Sequence, residues 1–314
     1  MEKCFFEALI LLCILTALSG CKSPNRDDYI SAKLLSKADF IQEEQFTFSL
    51  ESLSAIDVRG EYVNDDSINQ PSIMYAGIGA GGMLAQVVAH AAINSSLQDN
   101  ALSERQIMAN MQIEPISRLV LETKFQDFLG KYQDFYVSID KADNKTIFLK
   151  PIYFVSQNLE RLSLKMVVWS GKKNKGKRKQ NWEYQNLIEV NSRVLNKDEI
   201  DKIISGQGKE LLDALLMEMS QLALSSLQSE VTGVISQRLL DPSVKPATIT
   251  IKTGETKEYI RGTIVEHSCR YTLIRNLRNW LIHYPTSQVL SPEVVGELTD
   301  YPKDHPAYCL TKAL

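Results

Sequence analysis

The strongest constraint on fold lies in the middle of the chain, where Leu162, Leu164, Met166 and Val168 alternate with Ser163, Lys165 and Val167. A period of two puts the first set on one side of an extended strand and the second on the other, so the pattern calls for a sheet with one well-buried face. Flanking runs rich in aromatic and β-branched residues, over 146–155 and 182–190, extend this to an antiparallel meander of three strands with 161–169 at its centre.

A helical period follows the meander. Asn196-Lys-Asp-Glu199 has the composition of a capping box, in which Asn196 caps the helix and Glu199 reaches back. Ile200, Ile203 and Ile204 begin an amphipathic run, Ser205 to Gly208 interrupts it, and Leu211, Leu215, Met219 and Leu222 resume it toward Leu227, with an end expected before Pro242. A second set of strands is then expected at 248–252, 257–266 and 270–275, followed by the Trp280 segment, with turns at Gly254 and near His267.

Upstream of the meander, residues 101–111 read as helix and Pro115 suits the first turn of another. In that second helix Leu121, Phe125, Phe128, Leu129, Tyr132 and Phe135 are expected to share one core-facing side. Two rounds of helix followed by antiparallel strands give an α+β class, with sheet packed against amphipathic helices. The expected division is residues 1–20, a polar tether over 21–45, and one globular domain over 46–314, with halves at 71–195 and 196–314 suggestive of an old duplication.

The N-terminus carries the chain's most specific motif. From Ala8 to Leu18 runs an apolar stretch of eleven residues, well short of the roughly 20 that span a bilayer and of signal-peptide length. Leu18-Ser19-Gly20-Cys21 follows, and here the chain resembles bacterial lipoproteins, whose lipobox sets small residues before a cysteine. The resemblance covers the first 21 residues. It implies diacylation of Cys21 through its sulfur, exposure of Cys21 as the new N-terminus by a dedicated signal peptidase, and further acylation of its amine. One acyl chain gives marginal membrane residence and two give stable anchoring. Lys22 in the next position resembles lipoproteins sent to the outer membrane. Glu2 and Glu7, which offset Lys3, depart from the usual basic start of such signals.

A glycine- and alanine-rich segment spans Ile73 to Ile93. Gly77, Gly79 and Gly82 match G-x-G-x-x-G, but the alternating strands and helices of a dinucleotide fold do not surround them. Helical spacing describes the segment better: Gly77, Gly81, Ala85 and Ala89 line one face and allow close packing against a neighbouring helix, while Gly82, Gln86, His90 and Asn94 form a polar stripe beside them. Two readings stay open, a tightly packed core helix and a segment that meets the bilayer or a copy of itself. Similar glycine-rich segments occur in uncharacterised envelope lipoproteins.

Cleavage before Cys21 leaves 34 basic and 36 acidic side chains, a balance that gives no electrostatic footprint for nucleic acid. A dense basic run, Lys172, Lys173, Lys175, Lys177, Arg178 and Lys179, lies between two expected strands. It reads as a solvated hairpin loop, with contact to anionic headgroups or a polyanion as the functional alternative. Of the five cysteines only Cys269 and Cys309 fall in the body of the protein, and outside the cytoplasm they form either a disulfide or two buried thiols.

His90, His267, His283 and His305 are scattered, and H-E-x-x-H, C-x-x-C and G-x-S-x-G are all missing from the chain. His267 and Cys269 read as a turn with a structural cysteine rather than as base and nucleophile. Neither a catalytic set nor a cofactor or metal site is therefore assigned. The expected function is a membrane-anchored envelope lipoprotein, held by lipid on Cys21, with a non-enzymatic binding or assembly role toward another envelope protein or itself. A transport component oligomerising through 73–93 and an envelope hydrolase are the alternatives. A convergent acid pair in a pocket would favour the hydrolase.

Overall fold

The computed structural model describes residues 27–52, 55–62, 103–171, 182–242, 244–254 and 256–290. The chain divides into two compact units, Met1–Asp27 with Asp66–Glu104 and Asp28–Asp65 with Arg105–Leu314. All nine strands belong to the second unit.

Its architecture is α+β, a mixed sheet of nine strands with helices. Strands β1 (Phe48–Leu50) and β2 (Asp57–Gly60) both run parallel to β3 (Ile147–Val155), meeting its first and second halves along one edge. On its other edge β3 pairs antiparallel with β4 (Leu162–Ser170), which pairs antiparallel with β5 (Tyr184–Asn191), giving the meander expected from sequence. The later strands are β6 (Ala247–Thr253), β7 (Thr256–His267), β8 (Tyr271–Asn276) and β9 (Leu281–Pro285), again antiparallel in succession. A parallel pairing of β5 with β9, through Ile188 and Leu281, joins the strands of both expected halves into one sheet.

Among the described residues five helices accompany the sheet: α1 over 103–112, α2 (Glu114–Leu119), α3 (Lys197–Ile204), α4 (Lys209–Val231) and α5 (Val234–Arg238). The capping box at α3 forms as its residues dictate: Asn196 Oδ1 accepts from the Glu199 amide and Glu199 Oε2 accepts from the Asn196 amide, both at 3.0 Å. The interruption between α3 and α4 rests on Gly206, whose φ of +81° lets its amide and the next return to carbonyls of the last turn.

The helix expected to run from Pro115 through Phe135 is not continuous. It stops at Leu119, and 3₁₀ turns at Phe125–Phe128 and Gly130–Phe135 follow. Two features break it. The Thr123 carbonyl is drawn off to the Ile56 amide, and Gly130 adopts φ +52°, outside the helical region. Phe125, Phe128, Leu129 and Tyr132 still reach the core, whereas Leu121 is exposed.

The main core lies between the sheet and α4, and takes Leu162, Leu164, Met166 and Val168 from β4 with Tyr184, Ile188 and Val190 from β5. Polar residues on α4 each find a partner on a different strand. Ser220 Oγ lies 2.6 Å from Tyr153 Oη of β3, Ser226 Oγ lies 2.6 Å from His283 Nε2 of β9, and Glu230 pairs with Arg275 of β8. Such buried pairings have directional geometry, so they fix the register of the helix over the sheet more sharply than apolar packing does.

The opposite face carries a second cluster that includes Val167, Leu187, Ile249, Ile251, Trp280, Ile282 and Tyr284. Within the stretch expected as tether, the chain from Asp28 onward is docked on this side. Lys33 bridges Gln185 through hydrogen bonds of 2.7 and 2.9 Å, Trp280 Nε1 donates to the Ile30 carbonyl at 3.1 Å, and Lys165 Nζ meets Asp28 Oδ2 at 3.2 Å. The tether was expected over 21–45, but within it Ile30 and Ala32 pack against this cluster.

Candidate binding pocket on the second face of the sheet

The residues of the second face follow from strand alternation. Across β4 and β5 the register sets Trp169 opposite Gln185, Val167 opposite Leu187, Lys165 opposite Glu189 and Ser163 opposite Asn191. The face is thus apolar toward one end and polar toward the other.

Curvature of the sheet encloses the polar end. Four strand spacings separate β5 from β6 in the sheet order, about 19 Å if the sheet were flat. Yet Thr253 of β6 and Glu258 of β7 line the same pocket as Ser163 and Asn191, so the sheet curls back over itself. The segment after β9 ties the curl, since Val289 bridges Ile251 and the Leu290 amide donates to Thr250 at 2.8 Å.

The resulting cavity is about 120 Å³. Exposed Glu61, Arg161 and Glu258 form its rim, Ser163, Glu189 and Asn191 are partly buried beneath them, and Tyr284 and Gln288 are 7% and 8% exposed. Asn191 Nδ2 donates to Glu189 Oε1 at 3.3 Å and to the His283 carbonyl at 3.2 Å, which holds Asn191 in place. The side-chain polar groups of Tyr284 and Gln288 have no hydrogen-bond partner among the described residues, although both residues are over nine-tenths buried. Among the described residues the fully buried unpartnered side-chain atoms lie elsewhere, on Ser49, Tyr184, Arg275 and His283, so the polar atoms of Tyr284 and Gln288 open onto the cavity and are available to water or a polar ligand.

The charges of the pocket act on one another. Burial raises the Glu189 carboxyl above its usual range, Lys165 and the Asn191 amide pull it back, and Glu258 and Glu61 push it up again. Burial also raises the Tyr284 hydroxyl, as do Glu189, Glu258 and Glu61, against Arg161. The hydroxyl therefore sits within the field of the pocket's own carboxylates. Among the described residues no group of three or more His, Cys, Asp or Glu side chains converges closely enough to hold a metal ion.

In two larger hollows several of the charged lining residues are already engaged. In one, of about 620 Å³, Lys33 donates to the Trp182 carbonyl, Ser36 to Asp39, and Lys145 Nζ to Gln45 at 3.2 Å. In the other, of about 490 Å³, Lys209 and Asp213 form an ion pair at 2.5 Å.

A second polar assembly is sealed beneath α4. His283 donates or accepts only through Nε2, to Ser226, and its Nδ1 is unpartnered. Burial lowers its pKa to about 4, so the ring is neutral at physiological pH. Ser226 and His283 have the atoms of a nucleophile and base, but at 4% and 7% exposure they are closed to substrate.

Of the residues singled out in the sequence, Cys21, Gly77, Gly81, Ala85, Ala89, Cys309 and the basic run from Lys172 to Lys179 lie outside the described residues. Cys269 is in a disulfide whose partner also lies outside them. It sits in the turn after β7, where Ser268 Oγ accepts from the Tyr271 amide at 3.2 Å, and its bonded sulfur excludes a free thiol beside His267. Among the described residues no helix is long and apolar enough to cross a membrane.

The pocket residues escaped the sequence reading. Glu189, between Ile188 and Val190 in a strand, was a usable signal, because a carboxylate in mid-strand needs water or a partner. Glu61, Arg161 and Glu258 gave none, since the curl alone assembles them. No known protein family matches the chain, and neither a curated protein nor a solved structure shows a match to it.

Proposed function

We propose that this protein is an envelope lipoprotein, anchored through acyl chains on Cys21, whose body binds a small polar ligand or ligand group in the pocket floored by Glu189 and Tyr284. The observation that carries the reading is the coincidence, in one cavity, of two largely buried residues, Tyr284 and Gln288, whose polar groups make no internal hydrogen bond, and a rim of charged side chains. The anchor rests on the lipobox. Asp28 lies seven positions after Cys21, a reach of at most about 25 Å.

A hydrolase is the second reading, and one feature favours it: Glu189, with a raised pKa, shares its pocket with the carboxylates of Glu61 and Glu258. Binding is the stronger reading, because it requires only the unpaired groups already in place.

The test is thermal unfolding of the full-length protein with the small-molecule fraction of an envelope extract. Wild type gains in Tm, and Glu189→Gln with Glu258→Gln loses the gain. An equal gain in both proteins contradicts the reading. Breakdown of an extract component that stops in the same variant favours the hydrolase.

A further inference from the structure

We infer that the pocket takes a primary ammonium group, held among Glu189, Glu258 and Glu61 with Tyr284 and Gln288 as neutral acceptors. The inference rests on the proposed binding role and gives its ligand a chemical class.

Charge argues first. Among the described residues the lining carries three carboxylates against one guanidinium. Glu189 is partly buried beneath the exposed Glu61 and Glu258, and even with Lys165 opposite Glu189 the carboxylates outnumber the cations, so the local field favours a cation at the floor, where screening is weaker than on the rim. Donor chemistry argues second. Ionised carboxylates only accept hydrogen bonds, and the Tyr284 oxygen and the Gln288 carbonyl accept as well, whereas an ammonium has three donors and no acceptor. The two match without leaving an acceptor facing an acceptor.

Size and geometry remove the neighbouring possibilities. At about 120 Å³ the cavity has the volume of about four waters, enough for an ammonium with a short carbon stem. A bare metal ion would need carboxylates converging at bonding distance, and no group of three does so among the described residues. A quaternary ammonium cannot donate and is held by stacked aromatic faces, of which this lining offers only Tyr284 among the described residues. Arg161 on the rim gives the class a subdivision, since a ligand with a carboxylate beside its ammonium meets a matching guanidinium there.

The experiment is calorimetric titration of the detergent-extracted full-length protein with ethylammonium, glycine, tetramethylammonium, acetate and glycerol. Ethylammonium is expected to bind one site, with tetramethylammonium and acetate silent, and Glu189→Gln and Glu258→Gln each to weaken it about tenfold or more. Tighter binding of glycine than of ethylammonium supports an amino-acid end group, and weaker binding supports a simple amine. Tyr284→Phe removes a hydroxyl without changing charge, and serves if a carboxylate variant fails to fold. It is expected to weaken ethylammonium several-fold.

Ethylammonium that fails to bind, or that binds the variants as well as wild type, overturns the inference. Acetate or glycerol binding in place of ethylammonium overturns it too, while leaving a binding pocket intact. Silence from every probe overturns it as well, and the extract-dependent gain in Tm then decides the broader reading separately.

Discussion

Lys165 stands opposite Glu189 in the register of β4 and β5, and its ammonium pairs with Asp28 at 3.2 Å. One cation thus holds the docked segment at Asp28 and acts through its charge on Glu189 at the floor of the pocket.

Replacing that cation tests both connections. In Lys165→Met, loss of the positive charge is expected to move the Glu189 pKa further upward, readable by carboxyl carbon NMR. Loss of the Asp28 ion pair, largely shielded from solvent, is expected to loosen residues 28–36 by about 1 kcal/mol. Exchange of the Lys33 amide, which is bonded to Gln185, should then accelerate about fivefold.

The Glu230–Arg275 pair offers a sharper stability test. Burial raises the Glu230 carboxyl and Arg275 lowers it, and the Nε of Arg275 is left unpartnered, so each charge depends on the other. Removing one partner should cost about 3–5 kcal/mol in urea unfolding. The double variant Glu230→Leu with Arg275→Met should recover most of that loss.

His283 makes stability depend on pH with a defined sign. Its folded pKa of about 4 lies below the unfolded value of 6.5, so the unfolded chain binds the additional proton between those limits. The contribution is fully present above pH 6.5 and is lost as pH falls toward 4, a loss of about 3 kcal/mol for the 2.5-unit gap. Denaturation as a function of pH on wild type and His283→Gln should show the difference in slope confined to that window.

How much of this was legible depended on how local each cause was. The β3–β4–β5 meander was readable because side-chain alternation is set residue by residue. The α3 boundary was readable because Asn196 and Glu199 cap each other within one turn. The false continuation of α2 arose from Phe125, Phe128 and Tyr132, whose spacing serves two 3₁₀ turns as well as one helix. The junction of β5 with β9 and the curl bringing Glu258 to Glu189 depend on contacts remote in sequence. So does the partnership of Ser226 with His283, 57 positions away. For the pocket, Glu189 alone was visible as an anomaly, and its neighbours were not.

The proposed acylation of Cys21 is tested most directly by metabolic labelling with palmitate, followed by membrane fractionation of wild type and Cys21→Ser. The account predicts label on the wild-type protein and its recovery with membranes, and no label and release into the soluble envelope fraction for Cys21→Ser. Wild-type protein without label, or equal membrane recovery of both forms, would contradict it.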